Sequence, residues 1–255
     1  MKLLNKFKLL FLLGIITFGS CVSKKQLLYM QDLNSIDISE VVSSNYYLQE
    51  NDVLKIDVYT REMKASIPYN KNNEINSVNS IELLSLNGYL VTKNKTINFP
   101  VLGEISVLDK TTKDLENHLK QRLVTEGYLL NPNVTVRLVN AKVTILGEVN
   151  RPGTYTFTQK NMSLLQILGL AGDLTIEGNR QDVVVIREID GKRLSTNLDL
   201  TSARFLTSTY QNIQPNDVII VNPNSKRVKS AGLIGNISNA FSIASLLLST
   251  LLLIR

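Results

Sequence analysis

Tryptophan is absent from this chain of 255 residues, and cysteine and histidine occur once each. One cysteine excludes an internal disulfide framework, and one cysteine with one histidine excludes a Cys/His zinc cluster, which needs several ligands at short spacing. Aromatic residues make up 6% of the chain, too few to suggest a base-stacking platform for nucleic acid. There is also no phosphate-binding loop and no paired catalytic motif. We therefore predict no metal, no cofactor and no catalytic residue.

Charge is unbalanced, because 28 Lys and Arg residues against 22 Asp and Glu residues give a net charge of +6. Taken alone, that excess suggests nucleic acid or an anionic membrane as a partner. Three of the lysines lie in residues 1–20, and four further basic residues flank an apolar C-terminal segment: Lys226, Arg227, Lys229 and Arg255. The charge therefore indicates a signal peptide and a membrane boundary, and we predict no nucleic-acid partner.

Residues 1–20 have the pattern of a secretory signal peptide, a basic front followed by an apolar run over 9–18 that is too short to span a bilayer. Two small residues then precede Cys21. This arrangement resembles the lipobox of bacterial lipoproteins, in which the signal is cut before the cysteine and the thiol carries a diacylglyceryl group. We predict lipidation of Cys21, the alternative being a buried structural thiol. Cleavage would lower the net charge to +3.

Two related α+β modules are predicted in the mature chain. Residues 21–44 are polar and are predicted to be a tether to the first module, which a strand over 52–59 opens. Leu-Gly-Glu occurs at 102–104 and at 146–148, each time predicted to follow a short strand and to precede a turn and a helix. A second echo, Gln-x-Asn-Asp-Val, begins at Gln49 and again at Gln214.

The helix of the first module is predicted from the spacing of its leucines. Leu115, Leu119 and Leu123 fall four residues apart and therefore lie on one face. Thr111 or Thr112 is the expected N-cap.

The second module shows a capping-box spacing at 163–166, and Gly172 is placed to end the helix that follows. Pro-Gly at 152–153 predicts a type II turn, and Asp-Gly at 190–191 predicts a type I′ hairpin. Strands with few helices and tight turns predict a mixed sheet with helices packed on it.

Residues 231–254 contain no charged residue, and as a helix they would be about 36 Å long, enough to cross a hydrocarbon core. We predict an amphipathic C-terminal transmembrane helix. A stripe of small residues on one face gives the pore-lining candidates: Gly235, Ser238, Ser242, Ser245 and Ser249. Inside a membrane such a stripe permits close helix packing or borders water. The alternative is a single-span anchor whose serines bond to backbone carbonyls.

Four acidic residues at strand ends are candidates for catalysis or for capping of backbone amides: Asp52, Glu104, Glu148 and Asp217. No motif pairs them, so capping is favoured. Five basic residues of the second module could face an anionic polymer, although solvation at the surface is the default for scattered charge: Arg180, Arg187, Lys192, Arg193 and Arg204.

With the lipobox, the two modules and the terminal segment together, the chain resembles the Wza-type outer-membrane polysaccharide export lipoproteins. Residues 51–140 resemble their polysaccharide export domain, and residues 143–221 their β-grasp-like SLBB domain, through the motif at 146–155 above all. The predicted domains are a signal peptide (1–20), a lipidated tether (21–44), an export domain (45–140), an SLBB domain (141–224) and the C-terminal transmembrane helix (225–255).

The resemblance implies a non-enzymatic subunit of a homo-oligomeric ring that carries capsular polysaccharide or exopolysaccharide from the periplasm to the cell surface. It implies an outer-membrane location with periplasmic domains, and an inner-membrane co-polymerase or tyrosine kinase as partner. The alternative is a membrane-anchored periplasmic lipoprotein that binds glycan or scaffolds partners without a pore of its own.

Overall fold

The computed structural model describes residues 27–35, 45–71, 87–159, 161–189 and 191–230, and five later helical positions: Ser242, Ser245, Leu246, Ser249 and Thr250. The predicted signal peptide and Cys21 lie outside the described residues, as do Gly235 and Ser238.

The first module is a small antiparallel sheet covered by one long helix. Its elements are β1 (Val53–Tyr59), a short helix α1 (Met63–Ser66), a 3₁₀ turn (Ile67–Tyr69), β2 (Tyr89–Leu90), β3 (Thr96–Phe99), β4 (Gly103–Ser106), α2 (Thr112–Thr125) and β5 (Asn133–Leu138). Strand β1 lies between β2 and β5, and β3 pairs with β4 as a separate hairpin. Alternate residues of β1 are buried, as expected of a strand with one face on a core.

Helix α2 begins and packs as the sequence predicts. Thr111 is the N-cap, and its hydroxyl accepts from the backbone N–H of Asp114 while the Asp114 carboxylate accepts from the backbone N–H of Thr111. This capping box satisfies two amides that a helix start would otherwise leave unpaired. The three leucines of the predicted face are all fully buried in the core of the module.

The second module is built on a five-stranded mixed sheet. Its elements are β6 (Lys142–Gly147), β7 (Gly153–Thr156), β8 (Met162–Ser163), α3 (Leu164–Leu170), β9 (Gly178–Ile189), β10 (Lys192–Leu198), two 3₁₀ turns (Ala203–Thr207 and Thr209–Gln211), β11 (Asn212–Ile213) and β12 (Val218–Pro223). The strand order is β10-β9-β12-β6-β7, with β12 parallel to β6 and every other pair antiparallel. Strands β8 and β11 form a separate pair. The α+β class and the mixed sheet are confirmed.

The ends of α3 also follow the prediction. Ser163 and Gln166 form a reciprocal capping box, and Gly172 has φ +77° just beyond the C-cap. A left-handed residue at this position lets the backbone leave the last turn, and glycine adopts it without a steric penalty.

Two predictions about turns were wrong. Leu-Gly-Glu does not occupy the same place in both modules: Gly103 opens β4 after a tight turn, whereas Gly147 closes β6. Gly153 does not adopt the positive φ that a type II turn requires; it begins β7, which pairs with β6.

The prediction of a C-terminal transmembrane helix was wrong as well. Across the part of the chain that the structure describes, no helix is both long enough and apolar enough to cross a membrane. The helix that follows β12 is α4, which spans only the six residues Ser225–Ser230 and has a mostly polar sequence. Most of residues 231–254, on which that prediction rested, lie outside the described residues.

A candidate functional site between the two modules

Asn140 joins the two modules. It lies between β5 and β6, and its side-chain oxygen accepts from the backbone N–H of Val53 at 2.9 Å while its amide donates to the backbone carbonyl of Asn51 at 2.8 Å. Both bonds return to the start of β1, and Leu138 packs against the hydrophobic cores of both modules. The Asn140 bonds hold the linker to the first module, and Leu138 is in contact with both cores, so the junction is not a free hinge.

The repeated Gln-x-Asn-Asp-Val sequence forms the same turn twice, once beside each strand that it precedes. Asp52 accepts from the backbone N–H of Gln49 at 2.9 Å, and Asp217 accepts from that of Gln214 at 2.8 Å. The asparagine before each aspartate is left-handed, with φ +69° at Asn51 and +68° at Asn216. Asparagine tolerates this conformation better than most residues. Both carboxylates therefore cap backbone amides.

The two aspartates have different side-chain partners. Asp52 is 2% exposed, and the Tyr46 hydroxyl, which donates to it, lies 3.0 Å from each of its carboxylate oxygens. Asp217 is fully buried and is held by both ends of the Arg187 guanidinium, at 2.9 Å from Nε and 2.7 Å from Nη2. Arg187 also donates to the backbone carbonyl of Asn212, and its guanidinium lies 4.7 Å from the centre of the Tyr210 ring.

These partners set the protonation of the two turns. Burial raises the pKa of Asp52 to about 6, against the opposing hydrogen bonds from Gln49 and Tyr46. Burial also raises the pKa of Asp217, but the Arg187 guanidinium opposes that rise. Burial and the neighbouring Asp52 carboxylate raise the pKa of Tyr46, so its hydroxyl stays protonated and donates. One turn therefore contains a neutral donor and the other a fixed cation.

A cleft of about 240 Å³ lies beside these turns, with walls from both modules. Its apolar floor consists of Leu138, Ala141, Phe157 and Ile213. Side-chain amides and hydroxyls surround it: Asn45, Thr112, Thr158, Gln159, Asn161 and Gln214. An apolar floor with a few convergent polar groups is the usual make-up of a small-ligand site, although typical sites are somewhat larger, from roughly 300 Å³ upward.

The charged side chains that line the cleft are both cations, Lys113 and Arg137. Lys113 forms an ion pair with Glu116 at 3.1 Å. Arg137 has no hydrogen-bond or ion-pair partner among the residues that the structure describes. The cleft is consequently polar and carries one uncompensated positive charge.

The segment predicted to be a tether to the first module contacts the second module instead. The backbone amides of Met30 and Gln31 donate to the carbonyls of Leu200 and Thr201, at 3.0 and 2.8 Å. Two side chains add to this contact. The Tyr29 hydroxyl donates to Asp173 and its ring lies 5.1 Å from the Arg180 guanidinium, while Asp32 accepts from Ser202 at 2.6 Å. We call residues 29–32 the strap.

Two arginines that were expected at the surface are buried, and the strap covers one of them. Arg180, below the Tyr29 ring, is 7% exposed, and Arg187 is 3% exposed. Arg187 continues the alternation of Val183 and Val185, and that alternation was the available signal for its burial. Arg180 lies between Gly178 and Asp182 at the other parity of β9, so no apolar alternation marks it. Lys192, Arg193 and Arg204 are exposed, as expected of scattered surface charge.

The remaining candidate residues fall in separate places. Glu148 accepts from the hydroxyl of Thr175, and Glu104 is exposed on β4. Neither belongs to a metal-binding group: within the described residues, no three His, Cys, Asp or Glu side chains come together.

Of the pore-lining candidates, Ser242, Ser245 and Ser249 are described and helical. The hydroxyls of Ser245 and Ser249 donate to the backbone carbonyls three residues earlier, at 2.9 and 2.8 Å. This is the backbone bonding that the alternative interpretation expects. No contact tests the assignment of the stripe to a pore wall, which stays a prediction.

Comparison with known proteins matches both modules. Residues 40–139 match the family described as polysaccharide biosynthesis/export protein, and residues 142–196 match the SLBB domain. The boundary between the two matches falls at Asn140, the residue that joins the modules.

Two curated relatives carry the same name, EPS I polysaccharide export outer membrane protein EpsA. The one from Ralstonia nicotianae is 29% identical over 107 residues, which cover 40% of this chain and 28% of the relative. The one from Ralstonia solanacearum is 27% identical over 92 residues, which cover 35% of this chain and 24% of the relative. The similarity thus spans about a quarter of the length of these relatives. Families and names alike are those of export proteins rather than of an enzyme.

Proposed function

This chain belongs to the Wza-type polysaccharide biosynthesis/export proteins, and we propose that it is a subunit of an oligomeric outer-membrane assembly that exports capsular polysaccharide or exopolysaccharide from the periplasm to the cell surface. The observation that carries the proposal is the pairing of the two family domains in one chain, joined through Asn140. A fixed junction suits a ring subunit, because each domain must meet its neighbour at a constant angle for the ring to close.

We propose that the protein is a lipoprotein anchored at Cys21, and the strap then limits how far the second module can lie from the membrane. Only residues 22–28 separate Cys21 from Tyr29. Seven residues span at most about 25 Å when fully extended. The second module would therefore face the outer membrane at short range, and the export module would lie at the other end of the molecule, available to an inner-membrane co-polymerase or kinase.

We propose no chemistry on the sugar. The two buried aspartates, Asp52 and Asp217, are capping groups, and each is already bonded to a backbone amide and a side chain. A glycosidase needs two carboxyl groups that flank the scissile bond. Purified protein incubated with the host polysaccharide should therefore leave its chain length unchanged.

Export is tested by deleting the gene for this protein in its host and then re-expressing the protein. We expect cells without it to lose surface polysaccharide, and re-expression of the full chain to restore the polymer. Unchanged surface polymer in the deleted strain would refute the proposal.

Oligomeric assembly is tested on detergent-extracted full-length protein by electron microscopy and native mass. A closed ring with a central opening supports the conduit. A persistent monomer supports the alternative, a lipoprotein that binds glycan in the periplasm, for which the polar cleft between the modules is the specific observation.

Lipidation is tested with Cys21→Ala. We expect this variant to lose incorporation of labelled fatty acid and to leave the outer-membrane fraction, with Cys21→Ser as a second variant of similar size. Unchanged mass and unchanged fractionation would contradict a lipid anchor.

A further inference from the structure

We propose that the cleft between the two modules binds one unit of an acidic saccharide, with Arg137 as the contact for its carboxylate. The source of the saccharide rests on the proposed function, but the binding itself does not. The cleft would hold a short segment of an acidic polymer at the junction of the modules.

The lining of the cleft has the chemistry that a sugar ring requires. A sugar ring has apolar C–H faces and a rim of hydroxyls, so it needs an apolar surface and groups that both donate and accept. Phe157 and Ile213 are 7% and 3% exposed and contribute to the apolar floor. Asn161 and Gln214 on the rim each carry an amide that donates through nitrogen and accepts through oxygen. Neither amide side chain has another partner in the described part of the chain.

Arg137 carries a positive charge that no neighbouring carboxylate in the described part of the chain pairs with. It lies directly opposite Lys55 across the β1–β5 pair, on the face of the sheet away from the core. Like charges at facing positions destabilise a sheet. Lys55 has Asp57 at 3.8 Å, whereas no carboxylate oxygen lies within 4.0 Å of the Arg137 guanidinium among the described residues. Arg137 is exposed, so water screens this repulsion and its guanidinium stays accessible to a ligand.

The aspartates of the two neighbouring turns do not cancel this charge. Asp217 is already paired with Arg187, and Asp52 is buried and accepts a hydrogen bond from the Tyr46 hydroxyl. Neither lines the cleft. A guanidinium binds a carboxylate through two parallel N–H donors, so a uronic acid or another carboxylated sugar suits Arg137 better than a neutral sugar.

The test is calorimetric titration of the detergent-solubilised full chain with two probes, tetragalacturonate and the neutral maltotetraose. We expect tetragalacturonate to bind at least roughly tenfold more tightly, and Arg137→Gln to abolish that preference. Arg137→Lys keeps the charge but not the two-pronged geometry and should retain an intermediate affinity. Arg61→Gln is the matched control, because Arg61 is an exposed arginine beyond the far end of β1, and it should bind within twofold of the unchanged chain.

Three results would overturn the inference: no binding of either probe, equal binding of the two, or full affinity in Arg137→Gln. Circular dichroism of Arg137→Gln confirms that the fold is retained. A chain that restores surface polysaccharide in the host yet binds neither probe refutes only this inference. A chain that binds tetragalacturonate through Arg137 yet is dispensable for surface polysaccharide refutes the proposed function and leaves the binding site intact.

Discussion

The two modules use one turn in two electrostatic settings. Both turns have the pattern Gln-x-Asn-Asp-Val, a left-handed asparagine and an aspartate that accepts from the backbone amide of the glutamine. In the export module the buried Asp52 carboxylate accepts a hydrogen bond from the neutral phenol of Tyr46. In the second module the buried Asp217 carboxylate accepts from the guanidinium of Arg187. Sequence repetition therefore fixes the backbone of a turn, whereas the residues that surround it decide how its charge is compensated. The export module should respond to pH, and the second module should depend on one arginine.

The largest expected effect is loss of that arginine. Arg187→Met leaves Asp217 buried without its cation, and removing one partner of a buried ion pair costs about 3 to 5 kcal/mol. We expect the second module to unfold at a lower urea concentration, while the urea concentration at which the export module unfolds stays the same. Hydrogen-exchange mass spectrometry measures the unfolding of each module separately.

Arg193→Met is the matched control, since Arg193 forms an exposed pair with Glu188 and its loss should leave both transitions in place. Equal loss of protection in both modules after Arg187→Met would contradict the separation of the two settings.

The next effect compares the two Leu-Gly-Glu sequences. A Cβ at Gly147, where φ is +88°, would lie 2.1 Å from the backbone oxygen of Val221, so alanine there must disrupt the parallel β6–β12 pair. Left-handed strain and overpacking together give a cost of about 3 to 4 kcal/mol.

At Gly103, where φ is +71°, nothing lies within 4 Å of the same atom, and only the strain of about 1 kcal/mol applies. Urea unfolding of Gly147→Ala and Gly103→Ala measures the difference. Similar losses in both variants would mean that the close approach at Val221 is unimportant.

A smaller effect distinguishes the turns by pH. Because the folded pKa of Asp52, about 6, lies above the ordinary 3.8, the folded state binds more protons than the unfolded chain between these values. Stability from this group is therefore fully present below the unfolded pKa of 3.8 and is lost as the pH rises from there through 6, by about 3 kcal/mol in all. Asp52→Asn should remove this slope.

The measurement is thermal unfolding from pH 4 to 7.5, read as the difference between the unchanged chain and Asp52→Asn. Tyr46→Phe removes a hydrogen bond that lowers the Asp52 pKa, so it should move the slope to higher pH. Parallel profiles for the unchanged chain and Asp52→Asn would show that Asp52 does not titrate in this window.

The smallest effect concerns the junction. Asn140→Ala removes two hydrogen bonds to the start of β1, which we expect to cost about 1 to 2 kcal/mol. The loss should appear as faster hydrogen exchange at Val53. Asn98→Ala, at an exposed position of β3, is the control and should leave that exchange unchanged. Unchanged exchange in Asn140→Ala would show that these two bonds do not hold the linker to the first module.

Local patterns predicted much of the fold. The capping boxes at Thr111 and Ser163 and the leucine face of α2 each depend on residues close in sequence, so their spacing is sufficient evidence. The two aspartate turns were also predicted as capping groups, because a carboxylate at a strand end has backbone amides within reach.

Long-range contacts were not predictable in the same way. The strap meets Leu200 and Thr201 across more than half the chain, and no local pattern identifies that partner. The burial of Arg187 depends on Asp217, 30 residues away. The cleft likewise needs residues from both modules, so no local pattern in either one reveals it. The Pro-Gly pair at 152–153 failed for the same reason, since pairing with β6 overrides the turn preference of Gly153.

The most direct measurement of the central claim is the ratio of surface-exposed to cell-retained polysaccharide in the host, with and without this chain. The proposed export function predicts that the ratio falls when the chain is deleted, while total polymer changes much less, and that re-expression restores it. An unchanged ratio in the deleted strain would contradict the account.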